Sequence, residues 1–207
     1  MSRYDLAIFD FDGTLADSAD WFFGSLNEVA ARFGFRATTE QERQALRRFD
    51  HREIIRGLQV PMWKLPAIAR HMRRRATENI DSIRLFRGVP EALTALRSNG
   101  TRLAIVSSNS EQNVRRILGS ELAGQIAFYG CGASLFGKTS KLRSAIRRCN
   151  VDRKRTIYVG DETRDIEAAR TAGTASGAVL WGYAAPDALL GLNPTIAFHT
   201  VDQLCNM

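Results

Sequence analysis

The sequence predicts an α/β fold in which a parallel sheet carries helices on both faces and a helical insertion follows the first strand. Three observations carry this expectation. Short apolar runs alternate with helix-like patterns along most of the chain. The clearest runs end in polar residues, placed where an open parallel sheet binds its ligands. One stretch, from about Asp17 to Arg84, breaks the rhythm with helical patterns and no strand-like run.

Leu6–Phe9 is the first strand, an apolar run of strand length ending in Asp10-Phe11-Asp12-Gly13-Thr14. Asp17 and Ser18, ordinary N-cap residues, then lead into helical patterns over Trp21–Phe33, Gln41–Phe49 and Trp63–Asn79, punctuated by Pro61 and Pro66. Val89–Ser98 reads as a helix, with Pro90 suited to its first turn and Gly100 to its C-terminal cap. Arg102–Ser107 is a second apolar run, closed by small hydroxyl residues. A helix over Gln112–Leu118, a strand over Gln125–Tyr129 and a basic helix over Ser140–Cys149 follow. Thr156–Val159 is the third clear strand and ends at Gly160-Asp161. Arg164–Thr171 forms a helix stopped by Gly173, and Ala178–Leu180 a further short strand. No internal repeat or low-complexity tract interrupts this order.

The 207 residues suffice for a substantial core, as one domain or as a domain with an insertion. Apolar content of 44% and charged content of 25% match a soluble globular protein. The N-terminus shows no basic leader before a signal-type apolar segment, and no run approaches membrane-spanning length, so no membrane partner is expected. Cys131, Cys149 and Cys205 are odd in number, widely spaced and match no zinc or redox pattern, which suits a reducing, cytoplasmic setting. The net charge of +7 calls for an anionic partner. From Arg36 to Arg87 there are 13 Lys or Arg against six Asp or Glu, so that stretch holds the whole excess. It reads either as the solvated face of helices or as an anion-binding surface. Nucleic acid is an unlikely partner, because no recognised nucleic-acid motif accompanies the charge.

The chemistry begins with Asp10 and Asp12. Residues i and i+2 of a strand share a side, so both carboxylates can face one site. Two like charges so close call for a cation or a shared proton. The pair therefore suggests a metal, with one carboxylate free to attack and the other to move protons. Ser107-Ser108-Asn109 follows the second apolar run. Ser107 and the Asn109 amide, with the N–H groups at the next helix start, suit phosphate oxygens. Lys138 supplies a compact positive charge against phosphate and nucleophile. Asp161 offers an oxygen ligand suited to Mg2+, and Asp165, one helical turn on, can hold Lys138 or a metal-bound water. Taken singly, each has a plainer reading: a helix cap, a solvated lysine, a turn, a surface acid. Together, in this order at strand ends, they form a phosphate site.

Ile8-Phe9-Asp10-Phe11-Asp12-Gly13-Thr14-Leu15-Ala16-Asp17-Ser18 resembles the first motif of the haloacid dehalogenase superfamily of hydrolases. Ile105-Val106-Ser107-Ser108-Asn109 resembles the second, Phe136-Gly137-Lys138 the third, and Tyr158-Val159-Gly160-Asp161-Glu162-Thr163-Arg164-Asp165 the fourth. Trp181-Gly182-Tyr183 is similar to the phosphoglycolate phosphatase-like branch. The resemblance implies a Rossmann-like parallel-sheet core from residues 1–16 and 85–207, with a helical cap domain over 17–84. It implies that Asp10 attacks phosphorus to give an aspartyl-phosphate, and that Asp12 protonates the leaving oxygen and then activates water. Mg2+ would be held by the Asp10 carboxylate, the Asp12 carbonyl and Asp161. Ser107, Ser108, Asn109 and Lys138 would bind the phosphoryl group, with Thr14 and Asp165 in support. The lysine motif lacks the proline that commonly follows it, and Lys141 stands three residues on; counting back from Asp161 favours Lys138. The role of Glu162 stays open.

An acid at position 12 favours an alkoxide leaving group, hence phosphate esters rather than the halides or phosphonates handled by relatives without one. The expected activity is a magnesium-dependent phosphatase acting on a small phosphorylated metabolite. A sugar-phosphate mutase and a non-catalytic anion-binding module are the alternatives. Basic residues among Arg47, Arg48, Arg52 and Arg56 are expected to contact a second anionic group of the substrate.

Overall fold

In the central strand β1 (Leu6–Phe9) successive side chains enter opposite cores. Ala7 and Phe9 pack with Leu103, Ile105, Ile157 and Val159 on one face. Leu6 and Ile8 pack with Ala104, Val106 and Tyr158 on the other. Burial on both faces is why these strands read as continuous apolar runs rather than alternating ones. The computed structural model describes residues 3–46, 49, 51–132 and 137–207.

β1 pairs in parallel with β4 (Arg102–Val106) on one side and β6 (Thr156–Gly160) on the other, with Phe9 opposite both Ile105 and Val159. Beyond them lie β5 (Ile126–Gly130), β7 (Ala175–Val179) and β8 (Ile196–Phe198), giving a six-stranded sheet in the order β5-β4-β1-β6-β7-β8. Helices α5 (Val89–Ser98) and α6 (Glu111–Gln125) cover one face through residues such as Leu93, Leu96 and Val114. Helices α7 (Lys138–Cys149) and α8 (Thr163–Ala172) cover the other through Leu142, Ala145 and Ala169. The expected α/β fold with helices on both faces is present.

Strand order reverses at β1: the chain runs outward to β4 and β5, then returns to β6 on the opposite side. The carboxyl ends of β1, β4 and β6 are therefore neighbours at a topological switch point, where a crevice opens between diverging connections.

Between β2 (Ala16–Asp17) and β3 (Arg84–Leu85) the chain forms α1 (Ala19–Phe33), α2 (Glu40–Leu46), α3 (His51–Gly57) and α4 (Leu65–Glu78). The sequence reading of this stretch as strandless needs correction at its two ends. β2 and β3 pair antiparallel, Ala16 with Leu85 and Asp17 with Arg84, so both chain crossings are zipped together. Two-residue strands carry no periodicity; tertiary pairing alone defines them. The expected helix over Gln41–Phe49 ends at Leu46, and α3, not anticipated, follows it. Met62–Lys64 is a 3-10 turn before α4, whose second residue is Pro66. The expected stop of a helix at Leu118 marks a real break. Gly119, at φ 74°, interrupts α6, which then resumes to Gln125. The short strand expected at Ala178–Leu180 instead spans Ala175–Val179, and β8 beside it was missed, being only three residues long.

Candidate active site

Asp10 leaves β1 with its amide still in the ladder, donating to the Val159 carbonyl at 2.8 Å. Its side chain is buried. Oδ1 accepts the Phe11 N–H at 2.8 Å, and Oδ2 accepts Lys138 Nζ at 2.6 Å. Lys138 is the first residue of α7, and its ammonium also donates to Asp165 Oδ1. Asp165 is fully engaged: Oδ1 accepts the Tyr158 hydroxyl at 3.0 Å, and Oδ2 the Glu162 N–H at 3.0 Å. Burial pushes the Asp10 carboxyl up to about 6, with Lys138 opposing and the Asp165 charge reinforcing the shift. Burial also favours neutral Lys138, yet the two carboxylates outweigh it and hold the ammonium charged. For Asp165 burial acts upward, but Lys138 and then Arg164 bring it below the ordinary carboxylate range.

Asp161 directly follows β6 and is fully buried between two backbone turns. Its Oδ1 accepts Thr14 Oγ1 at 2.8 Å, and its Oδ2 the Tyr183 N–H at 2.8 Å. The cradle admits no extra carbon. A Cβ on Gly13, at φ 77°, would stand 2.2 Å from Asp161 Oδ2; one on Gly182 would stand 2.2 Å from Asp161 Cβ and 2.5 Å from the Gly13 carbonyl. Burial first, then the charges of Glu162 and Asp10, lift the Asp161 carboxyl well above its ordinary value.

Asp12 turns to other partners. Asn109 Nδ2 donates to its Oδ2 at 3.1 Å and its Oδ1 at 3.3 Å, and Ser18 Oγ donates to Oδ1 at 3.2 Å. Burial raises the Asp12 carboxyl against the pull of these donors. Ser18 stands at the N-cap position of α1 without capping it by its side chain; its hydroxyl instead holds Asp12 and meets the Tyr183 hydroxyl at 2.7 Å. The helix-cap reading of Ser107-Ser108-Asn109 also fails. Ser110 is the N-cap of α6, accepting the Asn113 N–H at 3.2 Å. Ser107 is buried and accepts the Asn109 N–H at 3.0 Å, while Ser108 is exposed at the cavity rim.

Lys141 stands apart from the carboxylates. Its Nζ donates to the Ser107 carbonyl at 3.2 Å and the Gly132 carbonyl at 2.5 Å, bracing the loops after β4 and β5. Phe136 lies outside the described residues. Glu162 pairs with Arg164 and forms a capping box with Asp165 at the start of α8. Sequence reasoning missed Ser18, Asn113 and Tyr183 as site residues. Ser18 and Tyr183 stood inside motifs already singled out, whereas nothing local marks Asn113.

The residues fit a hard cation. Among the described residues, Asp10, Asp161 and Asp165 bring carboxylate oxygens within 4.8 Å of one another. The donor set is all oxygen, as magnesium or calcium prefers over softer metals. Lys138 meets both Asp10 and Asp165, but Asp165 also accepts from Tyr158 and Glu162 on its two oxygens, so Asp10 and Asp161 are the carboxylates that could hold an ion.

Beside these groups a cavity of about 330 Å3 opens, lined from the sheet by Asp10, Asp12, Asn109 and Arg164, and from the insertion by α1 and α4. Of the basic residues expected to reach a second anion, Arg56 is exposed and does not line it. Arg47, Arg48 and the side chain of Arg52 lie outside the described residues. Elsewhere in the insertion, Arg36 pairs with Glu42 at 2.6 Å and Arg75 with Glu28 at 2.7 Å. No described helix is long and apolar enough to cross a membrane.

Residues 7–179 match the sequence model of a family described as haloacid dehalogenase-like hydrolase. A phosphoglycolate phosphatase of Synechococcus elongatus is 33% identical, over 95% of this chain and 93% of its own. A protein named tyrosine-protein kinase PtkA, of Mycobacterium tuberculosis, is 28% identical over 96% of this chain and 70% of its own. Among solved structures, a putative phosphoglycolate phosphatase of Lactobacillus plantarum superposes with a TM-score of 0.82 at 20% identity, covering 99% of this chain and 98% of its own.

Proposed function

The chain belongs to the haloacid dehalogenase-like hydrolase family, and from that premise we propose that it is a magnesium-dependent phosphatase acting through an aspartyl-phosphate on Asp10. The supporting observation is the Lys138 ammonium held between Asp10, at 2.6 Å, and Asp165, with Asp161 beside them. A binding module has no need of a nucleophile, a counter-charge and a separate proton carrier in one crevice.

Asp10 attacks phosphorus through a carboxylate oxygen, and the bond to the ester oxygen breaks. Asp12 gives its proton to that oxygen, so the product leaves as an alcohol. Burial favours the protonated Asp12 this step needs. In the second half, the Asp12 carboxylate takes a proton from water, whose oxygen attacks phosphorus. The acyl phosphate bond breaks, restoring Asp10 and releasing inorganic phosphate. Asn109 and Ser18 hold Asp12 on the line of both transfers. Lys138 offsets charge on Asp10 and on the phosphoryl oxygens. Ser107 and the amides beyond β4 receive those oxygens. Asp10, the Asp12 carbonyl and Asp161 would hold Mg2+, which when bound supplies positive charge against the phosphoryl group. The segment 17–84 acts as a cap that limits water around the crevice.

The test is release of inorganic phosphate from phosphate monoesters with and without Mg2+, together with acid quenching of a single turnover. Wild-type protein should retain acid-stable, base-labile phosphate, and Asp10→Asn should retain none and turn over nothing. Near wild-type activity in Asp10→Asn would overturn the covalent reading.

A further inference from the structure

The cavity beside Asp10 has two unlike walls. The sheet side is dominated by polar and charged residues, among them Asp12, Ser108, Asn109 and Glu162. The side contributed by the segment between β2 and β3 comprises fourteen described residues, and thirteen of them are apolar. On α4 the stripe Leu65, Ile68, Ala69, Met72 and Ala76 follows helical spacing and faces the cavity, while Arg70 and Arg74 are exposed. Phe22 and Phe23 of α1 face the same space, and Phe49 remains 49% exposed at its edge. Aromatic and branched side chains lining an open space of this size are what a site for an apolar ligand body presents.

Arg73 is the sole cation on the insertion's side of this lining among the described residues, and its charge is felt at Lys141, which braces the loop after β4. The Arg73 carbonyl accepts Asn113 Nδ2 at 3.3 Å, which sets that turn of α4 over the loop after β4. Arg164, on the sheet side, is already paired with Glu162. Among the described residues of that wall only Arg73 could meet the second anion of a short phosphorylated acid; against the thirteen apolar ones it would sit desolvated and unpaired.

We propose that the substrate is a phosphate monoester whose alcohol bears an extended apolar body, aromatic or branched aliphatic, seated against α1 and α4 while its phosphoryl group meets Asp10. This rests on the phosphatase reading above and adds the substrate class to it. Among the described residues Arg56, Arg70 and Arg74 then lie on the insertion's outer face, and specificity comes from apolar area rather than from a second ion pair.

The experiment measures kcat/KM with Mg2+ on the full chain for n-alkyl phosphates from ethyl to hexyl, for 2-phenylethyl phosphate, and for phosphoglycolate and glycerol 3-phosphate. Simple alkyl alcohols differ little in acidity, so the slope along the series reads burial of the tail. It should rise about fourfold per methylene, from about 0.8 kcal/mol per buried CH2, and phosphoglycolate should rank below hexyl phosphate. Met72→Glu and Ile68→Asp should each lower the hexyl-to-ethyl ratio at least tenfold, and a ratio within one variant is insensitive to its folded fraction. Should neither variant fold, the wild-type series decides by itself. A flat or falling series, or phosphoglycolate ranked first, overturns the substrate class and leaves the phosphatase standing. No metal-dependent release from any ester overturns both.

Discussion

Thr77 Oγ1 donates to Asn113 Oδ1 at 2.8 Å, tying helix α4 to helix α6. From there Asn113 Nδ2 reaches Asn109 Oδ1 at 3.1 Å, and Asn109 Nδ2 reaches Asp12. A continuous line of side chains thus runs from helix α4, which lines the cavity, to Asp12, the proposed proton carrier. Asn113 is fully buried, so a partner lost here is not replaced by water. Asn113→Leu, similar in volume, should leave Asn109 Oδ1 with the Ser110 N–H as its one remaining donor, loosen the amide and lower kcat about tenfold, roughly 1.4 kcal/mol, with a smaller change in KM. Thr77→Val, which removes only the outer link, should lower kcat less. Steady-state kinetics on p-nitrophenyl phosphate decide this, and unchanged kcat in Asn113→Leu would show that Asp12 needs no such support.

Lys138 stands between two buried carboxylates and is itself largely buried, its side chain 15% exposed. Lys138→Met keeps the stem and removes the charge, leaving Asp10 and Asp165 facing each other. Breaking a buried pair this way costs about 3–5 kcal/mol, which for a chain of this size lowers Tm by about 10 °C. The metal-free variant should therefore melt well below wild type at pH 7. Lys138 lowers the Asp10 carboxyl, so without it burial and Asp165 lift that group above the value of about 6 it has in wild type, and it takes a proton before wild type does. The Tm gap should narrow as pH falls from 8 towards 6. A gap that is constant from pH 5 to 8 would mean that the lost charge is not what matters.

Much of this was legible because buried parallel strands write continuous apolar runs, and the residues closing them fall at one crevice. Asp10, Ser107 and Asp161 could be found for that reason alone. Lys138 could be found only by order and spacing, since a lysine opening a helix has no local mark; its 2.6 Å contact with Asp10 distinguishes it from Lys141. The insertion was read least well. Its surplus of arginines suggested either solvated helix faces or an anion site, because charge counts do not say which face of a helix a residue occupies; of the four arginines named for that site, only the side chain of Arg56 is described. The period in α4 does show the face: Leu65, Ile68, Ala69 and Met72 form one stripe, with Arg70 and Arg74 outside it. β2 and β3 were invisible because two residues have no period, and Asn113 because its distant partners, Arg73 and Thr77, come from α4 more than thirty residues away.

Gly182 separates lack of space from lack of backbone freedom. An added Cβ would meet Asp161 Cβ at 2.2 Å and the Gly13 carbonyl at 2.5 Å, although the Gly182 backbone is not left-handed. Gly182→Ala should therefore displace Asp161 while the sheet persists. The Mg2+ concentration giving half-maximal phosphate release should rise at least tenfold. Gly124, within α6, has nothing within 4 Å of the same added atom. Gly124→Ala should keep the metal dependence and gain up to about 1 kcal/mol of stability. Equal metal dependence in both variants would mean that Asp161 tolerates movement.

The proposed Mg2+ would compete with protons for the same oxygens, and the direction of that competition follows from burial. Asp10 is lifted to about 6 and Asp161 well above its ordinary value, so the metal-free fold binds protons there that the unfolded chain has already lost. These two groups therefore make the metal-free protein less stable as pH rises from about 4 through 6, where the native state holds more protons. Mg2+ removes that penalty only by displacing the protons, which becomes easier in the same direction. The rise in Tm caused by saturating Mg2+ should be small at pH 5 and grow steadily to pH 8, and EDTA should reverse it. Asp161→Asn, which leaves the site one charge short, should flatten the dependence and reduce the Mg2+ effect at every pH. Differential scanning fluorimetry in matched buffers with and without Mg2+ measures both, and a magnesium effect that shrinks with rising pH would contradict the assignment of Asp10 and Asp161 as the carboxylates that hold the ion.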